Sequence, residues 1–277
     1  MTSPNDPFPG ANPGDRPHSF DEWYQALKEQ ASFFTGLNLA GANPSGGAPR
    51  WKLSDCLPVL PVLGAAIGLA AGLAFGVAKG VTGIGWLAAI LAVGASVLIT
   101  RALHEDGLAD TADGLGPHGI DVERRLEIMC DSRNGTVGML ALALSVLVKA
   151  AAIGGLGSAS AMVVLIGAHA VSRAVLAYPL LAFSAVRDDG LGARVGKPTD
   201  NDVWLTVGIG VALAFLLLLG QGFFVAVVAP LAACAAAWAA SRWIAGKIGG
   251  YTGDTLGAVQ QVSEIAFLVV AATLIAR

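Results

Sequence analysis

Asp106, Asp110 and Asp113 stand at i, i+4 and i+7 in the segment His104-Glu105-Asp106-Gly107-Leu108-Ala109-Asp110-Thr111-Ala112-Asp113-Gly114. On a helix they share one face. Three like charges so placed repel one another and weaken an isolated helix. A divalent cation reverses that sign, and hard carboxylate oxygens suit Mg²⁺ or Mn²⁺. Mg²⁺ keeps part of its water shell and couples a few carboxylates to substrate phosphates, so the face reads as a phosphate-handling metal site. It does not follow the EF-hand order of alternating acids, a glycine and a distant glutamate. A helix cap would need one acid, not three. His104 and Glu105, immediately before the face, are the candidates for a general base.

Cations follow within thirty residues. Arg124, Arg125 and Arg133 can each pair bidentately with phosphate oxygens, and Arg124 and Arg125 equally suit the charge bias of a cytoplasmic loop. Arg133 lies in the polar turn Asp131-Ser132-Arg133-Asn134-Gly135, which leads directly into an apolar run; Asp131 and Arg133 are candidate catalytic residues. Arg187-Asp188-Asp189-Gly190-Leu191-Gly192 is a second charged, glycine-rich turn. Gly249, Gly250, Thr252 and Asp254 form a third, where glycine permits close backbone approach to a ligand. Asp254, Gly257, Gln261 and Glu264 continue from it as one polar stripe on a helix, and His169 and Arg173 form an i, i+4 pair in another apolar stretch. Polar groups at such depth face a bundle interior, so Arg173, Gln261 and Glu264 are expected to line the substrate cavity, although plain hydrogen bonding between helices is the bland reading. Lys149 lies toward the outer end of its apolar run and is expected to snorkel to the interface.

The elements that must carry these residues are transmembrane. Of 277 residues, 55% are hydrophobic and 13% charged. That composition excludes disorder for the bulk of the chain, and a net charge of −3 gives no nucleic-acid footprint. The 3 cysteines are too far apart for a disulfide framework or a zinc site. About 20 residues cross a bilayer core. Spans are expected at Leu57–Ala78, Val81–Thr100, Val137–Leu156, Ala159–Phe183 and Ala258–Ala276. Two more lie in Val203–Ser241, divided at Gly220-Gln221-Gly222. The fold class is thus all-α: a polytopic transmembrane helical bundle of about seven spans, its glycines and alanines suited to close packing in lipid. The runs lack period-2 alternation, which excludes a β-barrel.

With seven spans, only Lys79 and Arg277 among the basic residues outside the spans fall opposite the rest, which puts the N-terminus and the basic loops in the cytoplasm. All 20 Asp and Glu fall on that side too, Glu264 being counted at the inner end of its span. A face so rich in both signs, on an otherwise apolar chain, is the expected site. Residues 1–50 read as a polar extension. In it, Phe20, Trp23, Tyr24, Leu27, Ala31 and Phe34 recur at helical spacing, so an amphipathic helix near 20–37 is expected, on the membrane surface or on the protein, followed by the linker Ala40–Pro49. The first 18 residues, rich in Pro, Gly, Asn and Asp, read as disordered, and they lack the basic start and apolar core of a signal peptide. Residues 51–277 form the integral membrane catalytic domain.

A transporter would set its carboxylates near the bilayer midplane in repeated halves. Here they sit in loops and at helix ends without an internal repeat, so an enzyme acting on a phosphate or diphosphate is the better reading.

Four blocks in order resemble the cobalamin synthase (adenosylcobinamide-GDP ribazoletransferase) family: His104–Gly116 (HEDGLADTADGLG), Ile128–Leu140 (IMCDSRNGTVGML), the DGLG turn at 189–192, and Gly249–Glu264 (GGYTGDTLGAVQQVSE). The likeness runs from about Leu53 to Arg277. Two places depart from the pattern. Phe34-Thr35-Gly36-Leu37 carries glycine where the family has an arginine, and Cys130 stands where a lysine is common. The resemblance implies a transferase of the bacterial cytoplasmic membrane that joins adenosylcobinamide-GDP to α-ribazole, or to its 5′-phosphate, and releases GMP with Mg²⁺ as cofactor. It implies Asp106, Asp110 and Asp113 on the metal, and Arg133 with Arg124 or Arg125 on the developing charge. Glu105 or His104 would act as base, and Gly249, Gly250, Thr252, Asp254 and Glu264 would line the pocket or hold a second ion. The partners are those substrates and the lipid bilayer, no nucleic acid, with a second copy of the chain left open. A CDP-alcohol-type phosphotransferase shares the Asp-Gly-x-x-Ala start of Asp106–Ala109 but has an arginine where Asp110 stands. A membrane subunit that binds corrinoids without chemistry is the non-enzyme alternative.

Overall fold

The computed structural model describes residues 16–37, 39, 51–131, 133, 135–187 and 195–277. The Ala40–Pro49 linker, the first 15 residues, Ser132, Asn134 and the turn residues 188–194 lie outside these.

Helix α1 (Phe20–Thr35) starts at a capping box of Ser19 with Glu22 and ends at Gly36, whose φ of 62° closes the last turn. The later part of its apolar face packs on the protein, while Phe20 and Tyr24 at its start are exposed. Ala26, Ala31 and Phe34 are buried, and Leu57, Leu60 and Leu63 share their apolar cluster with Ala31 and Phe34. Ahead of it, the Arg16 guanidinium grips Asp202 at 2.7 and 2.8 Å.

A 3₁₀ stretch (Leu53–Val59) feeds α2 (Leu60–Thr82). Then come α3 (Gly85–Ile99), α4 (Leu103–Leu115), α5 (Val122–Met129), α6 (Thr136–Gly154), α7 (Ser158–Ala174) and α8 (Ala177–Ala182). Beyond residues 188–194 follow α9 (Asp200–Leu218), α10 (Phe223–Ile248) and α11 (Gly253–Ile275). Among the described residues the only non-helical pairing is a single bridge between Ala185 and Tyr251. Among the described residues six helical segments are long and apolar enough to cross a membrane, and α3 with α4 makes a seventh crossing if the bent pair counts as one. The polytopic all-α bundle is therefore as expected, and the break at Gly220-Gln221-Gly222 falls between α9 and α10.

The second span is the one that differs. Val81–Thr100 reads as a full crossing, but α3 has 15 residues, about 22 Å at 1.5 Å per residue, and α4 leaves it at 92°. The turn is made by Arg101 and Ala102 at φ 52° and 57°. Two consecutive non-glycine residues in the left-handed region cost on the order of 1–2 kcal/mol each, so the surrounding packing must hold the bend. Part of that packing is α1: Phe34 stacks on His104 with ring centroids 5.8 Å apart, and the Arg101 guanidinium donates to the Gly36 carbonyl at 2.9 Å. That guanidinium fills the space a side chain at position 36 would take.

Glycine sets the closest helix contacts. Gly64, Gly68 and Gly72 of α2 lie against the α7 backbone at His169, Leu165 and Met162. Gly107 of α4 and Gly257 of α11 meet where these two helices cross. A Cβ on Gly107 would lie 2.5 Å from the Asp254 carbonyl oxygen, and one on Gly257 3.2 Å from the Gly107 Cα. Neither backbone can yield locally, so Gly107→Ala is expected to force α4 off α11. A loss of about 1–3 kcal/mol, read as a lower midpoint of thermal unfolding in detergent, is the expected result.

Candidate active site

The N-termini of α6, α9 and α11 and the end of α8 gather at one end of the bundle, and α4 lies among them. Asp106 and Asp110 on α4 and Asp254 on the first turn of α11 stand close enough to act on one another electrostatically, and Asp113 acts on Asp110 as well. The Gly107–Gly257 contact is what lets the two acidic segments approach. Asp254 sits just inside the Thr252 cap of α11, where the exposed N–H groups favour a negative charge.

Asp113 has a second task. Its Oδ2 accepts the Gly135 N–H at 2.6 Å and its Oδ1 the Gly138 N–H at 2.8 Å, so it caps α6 from a neighbouring helix. A carboxylate offers about four lone-pair sites, and two are spent here. Among the described residues no three His, Cys, Asp or Glu side chains converge closely enough to hold a metal ion by themselves. That fits an ion bound by one or two carboxylates and completed by substrate phosphates and water better than a preformed cage.

The arginines are distributed differently from the expectation. Arg125 is buried and donates to the Gly114 and Leu115 carbonyls at 3.1 and 3.3 Å, closing the C-terminal end of α4. Arg124 is exposed and paired with Glu127 at 2.7 Å on its own helix. Arg133 is exposed and paired with Asp131 at 2.6 Å, and its donors hold the Asp131 carboxyl down at about 2. The arginine that does reach the acids is Arg187. It acts electrostatically on Asp254, and its Nη1 contacts the Cys130 sulfur. Sequence order hides this, because Arg187 is 67 positions before Asp254; the Ala185–Tyr251 bridge brings the two segments together. Gly250 serves that bridge, since a Cβ there would strike the Ser184 carbonyl, and Gly249 ends α10 at φ 84°.

Beneath the acids lies a buried polar network. Glu264 pairs with Lys149 of α6 at 2.8 Å and with Arg173 of α7 at 2.7 Å, and its Oε2 lies 3.0 Å from His169 Nδ1. Gln260 donates to Glu264 at 2.7 Å and to the Ser172 hydroxyl at 2.9 Å. Gln261 accepts from Lys149 at 2.7 Å and from Ser145 at 3.1 Å, and donates to Glu105 Oε1 at 2.9 Å. Arg173, Gln261 and Glu264 thus meet one another inside the bundle. Lys149 does not snorkel. Its side chain is 3% exposed, because two carboxylates from other helices meet it in the interior. Glu105 Oε2 and both ring nitrogens of His104 are buried without a hydrogen-bond partner among the described residues.

Residues 26–272 match the family profile described as Cobalamin-5-phosphate synthase. The chain belongs to the cobalamin-5-phosphate synthase family. It is 42% identical over 213 residues to the adenosylcobinamide-GDP ribazoletransferase of Allorhizobium ampelinum, covering 75% of this chain and 82% of that protein. It is 43% identical over 233 residues to that of Azorhizobium caulinodans, covering 83% and 88%, and 38% identical over 251 residues to that of Bradyrhizobium diazoefficiens, covering 89% and 92%. No solved structure matches the chain. The family's profile takes in α4 and its acids, the Lys149–Glu264 network, the Arg187 segment and the first turn of α11.

Proposed function

We propose that this protein joins adenosylcobinamide-GDP to α-ribazole, or to its 5′-phosphate, and releases GMP, at a cytoplasmic-facing site formed by α4 and α11. The observation that carries the reading is the meeting of Asp106, Asp110 and Asp254 at the Gly107–Gly257 contact, in a chain of this family. Asp106, Asp110 and Asp254, the last in place of the partly committed Asp113, would supply the one or two carboxylates that hold Mg²⁺. When bound, the ion would neutralise charge on the diphosphate.

The residues divide the remaining work. In the transfer, the acceptor oxygen bonds to the cobinamide-side phosphorus as the bond from that phosphorus to the oxygen bridging it to GMP breaks. GMP departs with that oxygen. With free α-ribazole the hydroxyl proton must leave, and Glu105 Oε2 or a His104 ring nitrogen, each without a hydrogen-bond partner among the described residues, would accept it. With the 5′-phosphate the acceptor is still a ribose hydroxyl, since a phosphate oxygen as nucleophile would leave a diphosphate in place of the single phosphate bridge, and the same proton must leave. Arg187, brought near Asp254 by the Ala185–Tyr251 bridge, would neutralise charge on the leaving phosphate.

Two measurements bear on this. Protein in lipid vesicles, given both substrates and Mg²⁺, is expected to yield a corrinoid whose mass equals the two joined parts; an unchanged corrinoid pool would refute the reading. Arg187→Ala is expected to lower the rate of GMP release on the order of 10²-fold, with Arg187→Lys in between.

A further inference from the structure

Lys149 stands 14 positions past Gly135 at the entry to α6, in no recognisable relation to the acidic face, yet it is the group that ties the face to the rest of the bundle. Its Nζ reaches Glu264 at 2.8 Å, the Gln261 amide oxygen at 2.7 Å and Glu105 Oε1 at 3.8 Å. It therefore links α6 to two carboxylates on two other helices, α4 and α11. Gln261 repeats the link by donating to the same Glu105 oxygen. Glu105 directly precedes Asp106, so whatever fixes Glu105 fixes the start of the acidic face.

The N-terminal end of α4 needs such a hold. It follows two residues in the left-handed region and has no side-chain cap. The far end is held independently, by Asp113 on the α6 N–H groups and by Arg125 on the last carbonyls. Thus α4 runs antiparallel to α6 and is tied to it at both ends, by Asp113 at Gly135 and Gly138 and by Glu105 at Lys149. The interior charges also balance, with Lys149 paired to Glu105 and Glu264 and Arg173 paired to Glu264, which is the condition under which buried ions persist.

We propose that Lys149, with Gln261 and Glu264, is a positioning network that sets Glu105 and the acidic face of α4 against Asp254. These residues touch neither substrate nor metal; they act through Glu105. The inference rests on the proposed transfer reaction for its kinetic readout, and a metal-binding readout separates it from that reading.

Lys149→Met alone leaves Glu264 short of a cation and is expected to lower the yield of folded protein. The informative variant is Lys149→Met with Glu264→Gln, which removes one charge of each sign and leaves one of each, Arg173 and Glu105, in the interior. It is expected to fold to wild-type yield and to keep KM for adenosylcobinamide-GDP within about threefold, while kcat falls 10- to 100-fold. Mn²⁺ affinity in the presence of GDP, read by electron paramagnetic resonance, is expected to fall by a similar factor. Gln261→Leu, which removes no charge, is expected to show the same pattern and decides the matter if the double variant does not fold. Wild-type kcat and Mn²⁺ affinity in either variant would overturn the proposal. So would a raised KM at unchanged kcat, which would make the residues substrate contacts. If the wild-type protein releases no GMP, the transfer reading fails, and the Mn²⁺ comparison alone still judges the network.

Discussion

Asp110→Asn is expected to lower GMP formation by a factor on the order of 10³ while the protein keeps or raises its thermal stability. Asp110 sits between Asp106 and Asp113 on one helical face, and Asp254 acts on it from the facing helix. An asparagine there keeps the shape and removes one of the crowded negative charges. The fold loses a repulsion, and the proposed site loses a carboxylate for the ion that would neutralise the diphosphate. Loss of activity together with retained stability is what separates a functional carboxylate from a structural one. Measuring GMP by chromatography beside the unfolding midpoint of the same preparation checks both halves. A variant with full turnover would remove Asp110 from the site.

The largest stability effect is expected at Glu264. Its carboxylate answers Lys149 and Arg173 and accepts from Gln260, all buried. Glu264→Gln takes from Arg173 its carboxylate and leaves Lys149 with Glu105 alone, 3.8 Å away. Breaking a buried pair on one side costs about 3–5 kcal/mol, because the remaining ion stays desolvated and uncompensated. A much lower unfolding midpoint in detergent, largely restored when Lys149→Met is added, is the expected result. An unchanged midpoint for the single variant would mean that the network contributes little to the fold. For comparison, the partly exposed Arg16–Asp202 pair belongs to a class worth about 0–1 kcal/mol.

Those two residues also mark how far the sequence could be read. The acids of α4 were legible because a spacing of i, i+4, i+7 is a property of one helix, and the helix is there. The Asp254-to-Glu264 stripe was legible for the same reason, and α11 begins early enough, at Gly253, to hold all of it. Apolar runs gave most of the spans because a bilayer sets their length. What needs two helices was not legible. Lys149 reads as an interfacial lysine from its place along α6, and only the fold brings Glu264 and Glu105 to it. Arg125 reads as a phosphate ligand, since nothing in its neighbourhood shows that the end of α4 lies within reach of its guanidinium. The bend after α3 carries no glycine or proline, the residues that ordinarily announce a turn, and is imposed by packing against α1 and α11. Arg187 joins the acids through a bridge between segments more than sixty residues apart.

The most direct test of the account is to follow GMP from adenosylcobinamide-GDP with the wild-type protein in lipid vesicles, adding and withholding α-ribazole and Mg²⁺ in turn. The account predicts GMP only when both are present, in equal amount to the cobalamin formed, because the acceptor oxygen must displace it and the aspartates need the ion to hold the diphosphate. GMP released without α-ribazole would mean a hydrolase, and GMP released at full rate in the presence of a chelator would mean that Asp106, Asp110 and Asp254 do something other than bind a metal; either result would contradict the account.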